Sequence, residues 1–199
     1  MRIGVLALQG DYEKHSRILD ELGLDNSLVR YPDELNDIDG LVIPGGESTT
    51  LTRLMIRMNF YQAITEYAKE KPILGTCAGL IIMARNVNHE LVRPLGLLDI
   101  EVDRNGYGRQ IYSFTDMLPI QLNNRFEKIP ATFIRAPKIV KAGKNIEILA
   151  ESNGEICAVK QGIHYGLSFH PELDGVSIFH RLAFLSDSIS LNKEKSHAA

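Results

Sequence analysis

The sequence predicts an α/β fold: three αβα layers around a mainly parallel central sheet, with antiparallel strands appended to it. Three observations carry this. In the first half, short apolar runs alternate with helical patterns, as βαβα units do. One run, Pro72-Ile73-Leu74-Gly75-Thr76, ends at Cys77 and gives way to a second apolar run from Leu80, which reads as strand, tight turn, helix. In the second half, short strand-like runs are punctuated by the turn pairs Asn153-Gly154 and Gln161-Gly162, a hairpin signal.

Taken in order, residues 2 to 8 are continuously apolar, as suits a strand covered on both faces. His15, Ile18, Leu19 and Leu22 then recur at helical spacing, and Gly23 is placed as a stop. A second strand is expected at 27–31, a polar connection with one helical turn at 32–38, and a third strand at 40–43. Pro44-Gly45-Gly46-Glu47-Ser48-Thr49-Thr50 leads into a helix expected to run unbroken to about Lys69, with Ser48 or Thr49 as its N-cap. Beyond Arg85, strands are expected at 97–104, 111–122, 132–135, 146–151, 156–160 and 164–169, and an amphipathic helix at 176–185 closes the fold. With no linker or repeat, residues 1–191 read as one domain and 192–199 as a loose polar tail.

The chain has 199 residues, enough to bury a sizeable core without staples. Its two cysteines, Cys77 and Cys157, form no C-x-x-C pair, so neither a structural zinc nor a disulfide framework is expected, and a cytoplasmic location fits. The apolar start is too short to span a membrane and lacks a signal-peptide pattern. A net charge of −3 with mixed signs gives no footprint for nucleic acid or an anionic membrane. Nucleotide-loop patterns are missing too, and no cofactor or metal is expected.

Chemistry concentrates in three places. Gly75 and Gly79 flank Cys77 as small residues flank the nucleophile of a G-x-nucleophile-x-G elbow, and a thiol at a helix start is favoured as the thiolate. Read alone, the pentapeptide serves as well for an inert core cysteine. Ser168-Phe169-His170-Pro171-Glu172 follows a strand-like run. In extended chain Glu172 lies on the same side as His170 and can orient its ring, giving base and orienter beside a nucleophile. Thirdly, Gly45-Gly46 can turn an N–H into a cleft, where it and the N–H of Ala78 can form an oxyanion hole; read alone, the loop serves as well for a phosphate loop or a plain turn. Cys157 is read as core, and His15, His89, His164, His180 and His197 as structural or solvated.

Together these segments resemble the class I glutamine amidotransferases. Gly4-Val5-Leu6-Ala7-Leu8-Gln9-Gly10, Arg104-Asn105 with Gly108-Arg109-Gln110, and Phe133-Ile134-Arg135-Ala136-Pro137 narrow the likeness to the glutaminase subunits of pyridoxal 5'-phosphate synthase, over residues 2 to 173. The resemblance implies that Cys77 attacks the side-chain amide of L-glutamine, that His170 moves the proton and that Glu172 orients it. It further implies glutamine contacts from Gly46, Glu47, Ser48, Arg104, Ile134 and Arg135, and ammonia delivery to a barrel-shaped synthase subunit in a hetero-oligomer. Asp11-Tyr12 and Lys14-His15 depart from the family pattern in the region that the family turns towards that subunit, and Asn105-Gly106-Tyr107 departs further along. The alternatives are the glutaminase subunit of another amidotransferase, a related cysteine hydrolase, or a binding protein of the same fold without turnover.

Overall fold

The computed structural model describes residues 1–104, 106, 113–122 and 125–185. Asn105, Gly108, Arg109 and Gln110, the start of the strand expected from Ile111, and the tail at 192–199 lie outside the described residues. In chain order the elements are β1 (Arg2–Leu6), α1 (Tyr12–Glu21), β2 (Asp25–Val29), a 3-10 turn (Pro32–Asp37), β3 (Gly40–Ile43), α2 (Ser48–Arg57) and α3 (Phe60–Tyr67). There follow β4 (Ile73–Thr76), α4 (Ala78–Met83), β5 (Ala84–Val87), β6 (Leu98–Asp103), β7 (Phe114–Leu122), β8 (Arg125–Phe133) and β9 (Lys138–Ala142). The chain ends in β10 (Glu147–Ser152), β11 (Glu155–Gln161), β12 (His164–Leu167), a 3-10 turn (Pro171–Leu173) and α5 (Ile178–Phe184).

The central sheet has seven strands in the order β10-β11-β12-β4-β3-β1-β2. From β2 to β12 neighbours pair in parallel, whereas β11 and β10 are joined antiparallel through the hairpins read from Asn153-Gly154 and Gln161-Gly162. All residues of β3, β4 and β12 are buried, which explains their unbroken apolar runs: both faces are covered. One cluster joins Leu51 and Met55 of α2, Phe60 and Ile64 of α3 and Leu80 of α4 to one face. A second joins Leu19 of α1 and Phe179 and Leu182 of α5 to the other, together with Leu118, Ile120 and Phe133 of the β7–β8 ribbon.

The structure corrects the reading in four places. The helix expected to reach Lys69 unbroken is two helices, because Asn59 takes a left-handed conformation (φ 59°) that ends the first and starts the second. The N-cap of α2 is Glu47, not Ser48 or Thr49; its carboxylate accepts from the N–H groups of Thr49 and Thr50 at 3.0 and 2.7 Å. Strands β5 and β9, absent from the reading, sandwich β6 in a small separate sheet. The strand expected only at 132–135 starts at Arg125, and β7 and β8 pair as a two-stranded ribbon outside the central sheet.

Candidate functional site

Four neighbouring parallel strands each end at a piece of one site. Gln9 follows β1, Gly45-Gly46 follow β3, Cys77 follows β4 and His170 follows β12. Open parallel sheets place their sites at such carboxyl ends. The pieces meet in a cavity of about 500 Å³ lined by Asp11, Gly46, Glu47, Ser48, Cys77, Ile81, Arg104, Ser113, Ile134, Arg135, His170 and Leu173.

Cys77 has φ 48° and ψ −101°, a sparsely populated conformation that costs of order 1–3 kcal/mol and persists because its surroundings hold it. Its N–H is tied to the Leu167 carbonyl at 2.8 Å, and its own carbonyl accepts from Ile81 N–H at 3.1 Å. Gly79 makes the turn possible: a Cβ there would lie 2.0 Å from the Ile43 carbonyl oxygen of the adjacent strand. As the first residue of α4, Ala78 offers an N–H with no partner inside the helix, next to the sulfur.

His170 is positioned by three contacts. Its N–H donates to the Thr132 carbonyl at 2.9 Å, its ring bonds Cys77, and Nδ1 lies 2.6 Å from Glu172 Oε1. The extended-chain argument for this pair named the right partner but the wrong geometry: His170 caps the 3-10 turn Pro171–Leu173, and Glu172 reaches it across that turn. The turn is itself braced by Asp174, whose carboxylate accepts from the N–H and hydroxyl of Thr132 at 2.8 and 2.9 Å. Burial opposes a charged imidazole, yet Cys77 and Glu172 outweigh it and raise the His170 pKa to about 10. Burial likewise opposes ionisation of Glu172, but His15 and His170 hold its pKa below the ordinary value.

The two arginines implied as substrate contacts differ in state. Arg104 is held by Glu47 and, through Nη1 at 2.9 Å, by His89 Nε2. Glu47 also accepts from both threonine hydroxyls at 2.5 and 2.7 Å; burial would raise its pKa, but these bonds and those to the Thr49 and Thr50 N–H groups lower it to about 2. Arg135 lines the same cavity with φ 45° and makes no hydrogen bond or ion pair among the described residues, so its guanidinium is free to meet an anion. Ile134 is partly exposed, and its carbonyl lies 3.9 Å from Cys77 Sγ. Ser48 is buried at the start of α2, and its hydroxyl has no hydrogen-bond partner among the described residues.

The sequence reading therefore named residues that the structure gathers in one place, but it passed over three neighbours. Gln9 accepts the Glu47 N–H at 3.0 Å and packs against Gly46, His89 supports Arg104, and His15 is buried against Glu172. A clue to His15 lay in its place on the apolar stripe of α1, where a polar side chain needs a partner. Cys157 is a core thiol, its pKa pushed up to about 12 by burial. Among the described residues no group of three or more His, Cys, Asp or Glu could hold a metal ion, and no helix is long and apolar enough to cross a membrane.

Known proteins match along most of the chain. The pyridoxal 5'-phosphate synthase subunit PdxT of Bacillus licheniformis is 46% identical over 175 residues, covering 87% of this chain and 88% of that protein. PdxT of Thermosipho africanus is 45% identical over 175 residues, covering 87% and 92%. A crystal structure of a glutamine amidotransferase superposes with a TM-score of 0.85 at 34% identity, covering 92% of this chain and 97% of that one. The sequence profile of the SNO glutamine amidotransferase family matches residues 5–186, and a match of that extent, on a fold with these neighbours, means that the chain belongs to the SNO glutamine amidotransferase family.

Proposed function

We propose that this chain is the glutaminase subunit of a pyridoxal 5'-phosphate synthase, releasing ammonia from L-glutamine by Cys-His-Glu chemistry and passing it to the barrel-shaped synthase subunit. The observation that carries the reading is the bonded series Cys77, His170, Glu172 at adjacent strand ends in one cavity. The Cys77 thiolate attacks the amide carbon, and the resulting oxyanion meets the Ala78 N–H and the Gly45-Gly46 backbone. Protonated His170 gives its proton to the departing nitrogen, so ammonia leaves and a thioester remains. Water, deprotonated by His170, then attacks the thioester, and glutamate and free Cys77 are restored. Arg135 takes the substrate carboxylate in a two-pronged contact, with Arg104, Ile134, Gly46, Glu47 and Ser48 completing the pocket.

The partner follows from the names of the relatives, and Gly45-Gly46 suggests how it governs turnover. Gly46 has φ 138°, a region open to glycine, so this peptide can rotate between orientations at little steric cost. A docked synthase subunit selects the orientation with an N–H on the oxyanion, and one misplaced donor costs roughly a hundredfold to a thousandfold in turnover. Gln9-Gly10 and α1 supply the contact. Two unpaired cysteines suit a reducing cytoplasm. The test is to measure glutamate release and cofactor formation together, with and without a synthase subunit. Glutamate release that rises sharply on mixing, with cofactor formed, is expected; full activity of the isolated chain, unchanged by partner, overturns the switch, and no glutamate under either condition overturns the glutaminase reading.

A further inference from the structure

Behind Glu172, on the side away from His170, the fold buries two more imidazoles. His15 of α1 and His180 of α5 are both 0% exposed, come from helices 165 residues apart, and meet through His15 Nδ1 and His180 Nε2 at 2.9 Å. The other ring nitrogen of His15, Nε2, stands 3.3 Å from Glu172 Oε2 and 3.4 Å from the Thr76 hydroxyl. Among the described residues Oε2 has no better-formed hydrogen bond, and His180 Nδ1 has no partner. A buried carboxylate oxygen with so few partners depends on the imidazole beside it both for its ionised state and for its orientation.

One arrangement of protons satisfies these contacts best. If His15 carried its proton on Nδ1, a lone pair on Nε2 would face the Glu172 carboxylate, and His180 would have to accept at Nε2 and bury an unpartnered Nδ1–H. With the proton on Nε2 of both rings, His180 Nε2–H donates to His15 Nδ1 and His15 Nε2–H points to Glu172 Oε2. His170 Nδ1–H then donates to Oε1, and the unpartnered atom left over is a lone pair, the cheaper orphan. We infer that His15, backed by His180, is a positioning residue for the proposed triad: it holds Glu172 ionised and at the rotamer that aims His170 Nε2 at Cys77. Both rings are neutral, since burial, against the pull of Glu172 on His15, takes each pKa down to about 3. A neutral donor serves Glu172 better than a charged one, which would compete with His170 for the same carboxylate.

This inference rests on the reading of Cys77, His170 and Glu172 as a triad, and its test separates the two. Nitrogen chemical shifts of the histidine rings, recorded on the resting full chain near neutral pH, need no turnover; both His15 and His180 should be neutral with the proton on Nε2. A proton on Nδ1 of His15, or a charged His15, overturns the inference whatever the enzyme does. In the complex with its synthase subunit, His15→Phe keeps ring volume but removes the donor and should lower kcat by up to roughly a hundredfold, the cost of misplacing a reacting group by about 1 Å, with KM within about twofold. His15→Gln, whose amide nitrogen can replace Nε2–H, should recover most of that loss. Equal losses in Phe and Gln variants of similar thermal stability, a wild-type kcat in the Phe variant, or a loss entirely in KM would overturn it. Should His15→Phe fail to fold, His180→Phe takes its place: a wild-type kcat there, or a loss entirely in KM, would overturn the role given to His180. Inactivity of the wild-type complex would instead bring down the triad, leaving the tautomers to be judged separately.

Discussion

A Cβ on Gly45 would lie 2.3 Å from His170 Cε1 and 3.3 Å from Cys77 Cβ, closer to the ring than any real contact allows. The hydrogen atom of this residue is thus part of what lets imidazole and thiol meet. Gly45→Ala should leave the melting temperature within a few degrees but lower kcat at least roughly a hundredfold, because the ring must swing away from the sulfur. Turnover within a few fold of wild type would mean that His170 has slack which the packing does not show. Arg135 raises a different residue-scale question, since its guanidinium lines the cavity with no partner among the described residues while Arg104 is held by Glu47 and His89. Arg135→Lys keeps the charge but not the planar fork, so KM for glutamine should rise, roughly tenfold, with kcat little changed. If only Arg104→Lys raised KM, the substrate carboxylate would belong to Arg104.

Helix boundaries are decided by single residues, and two of them control how α2 is held over the site. Glu47 caps α2 and, by the same carboxylate, holds Arg104 at the cavity wall, so Glu47→Ala should cost about 0.5–2 kcal/mol of stability and raise KM as well. At the other end, Asn59 sits at φ 59°. Asn59→Val, whose branched Cβ resists that conformation, should destabilise by about 1–2 kcal/mol, and Asn59→Gly should be close to neutral; equal melting temperatures would show that the break relaxes away. This break was not legible from the sequence because helical periodicity runs through it: Met55, Met58, Tyr61, Ile64 and Ala68 keep the stripe going, with no glycine or proline to mark the change. What was legible has strong local chemistry. The Cys77 elbow, the Gly45-Gly46 turn and the Asn153-Gly154 hairpin each need particular residues at particular backbone angles, and those residues are written in order along the chain. Strands β5 and β9 lack such marks, being short, and Val140 in β9 is half exposed. Their existence depends on β6 lying between them, a fact of tertiary pairing. His15 escaped for the same reason at longer range, since its partners come from residues 172 and 180, and only folding brings them to α1.

For the molecule as a whole, burying neutral His15 and His180 makes stability depend on pH in a predictable direction. Each ring has an ordinary pKa of 6.5 that falls to about 3 in the fold, so between these values the unfolded chain binds protons that the folded chain refuses. A depressed histidine pKa means that stability is fully present above 6.5 and is lost as pH falls towards 3. Each such group contributes a slope of about 1.4 kcal/mol per pH unit, and two act together. Glu172, with its pKa held low by His15 and His170, acts in the same sense at the acid end, where its protonation undoes the pairing. His170 acts in the opposite sense: its pKa is raised to about 10, so its contribution is complete below 6.5 and fades as pH rises towards that value. Against a total stability of about 5–15 kcal/mol, the histidine pair alone is enough to unfold the protein a few pH units below 6.5. Denaturant unfolding followed from pH 7.5 down to 5.5 should show stability dropping as unfolding takes up nearly two protons from this pair, with His164, whose pKa burial also lowers, adding in the same sense. His180→Phe, which removes one of the two groups together with its hydrogen bond to His15, should lower that uptake by about one proton and move the acid transition to lower pH. A variant with the wild-type slope would mean that His180 titrates normally in the fold, and that water reaches it between α1 and α5.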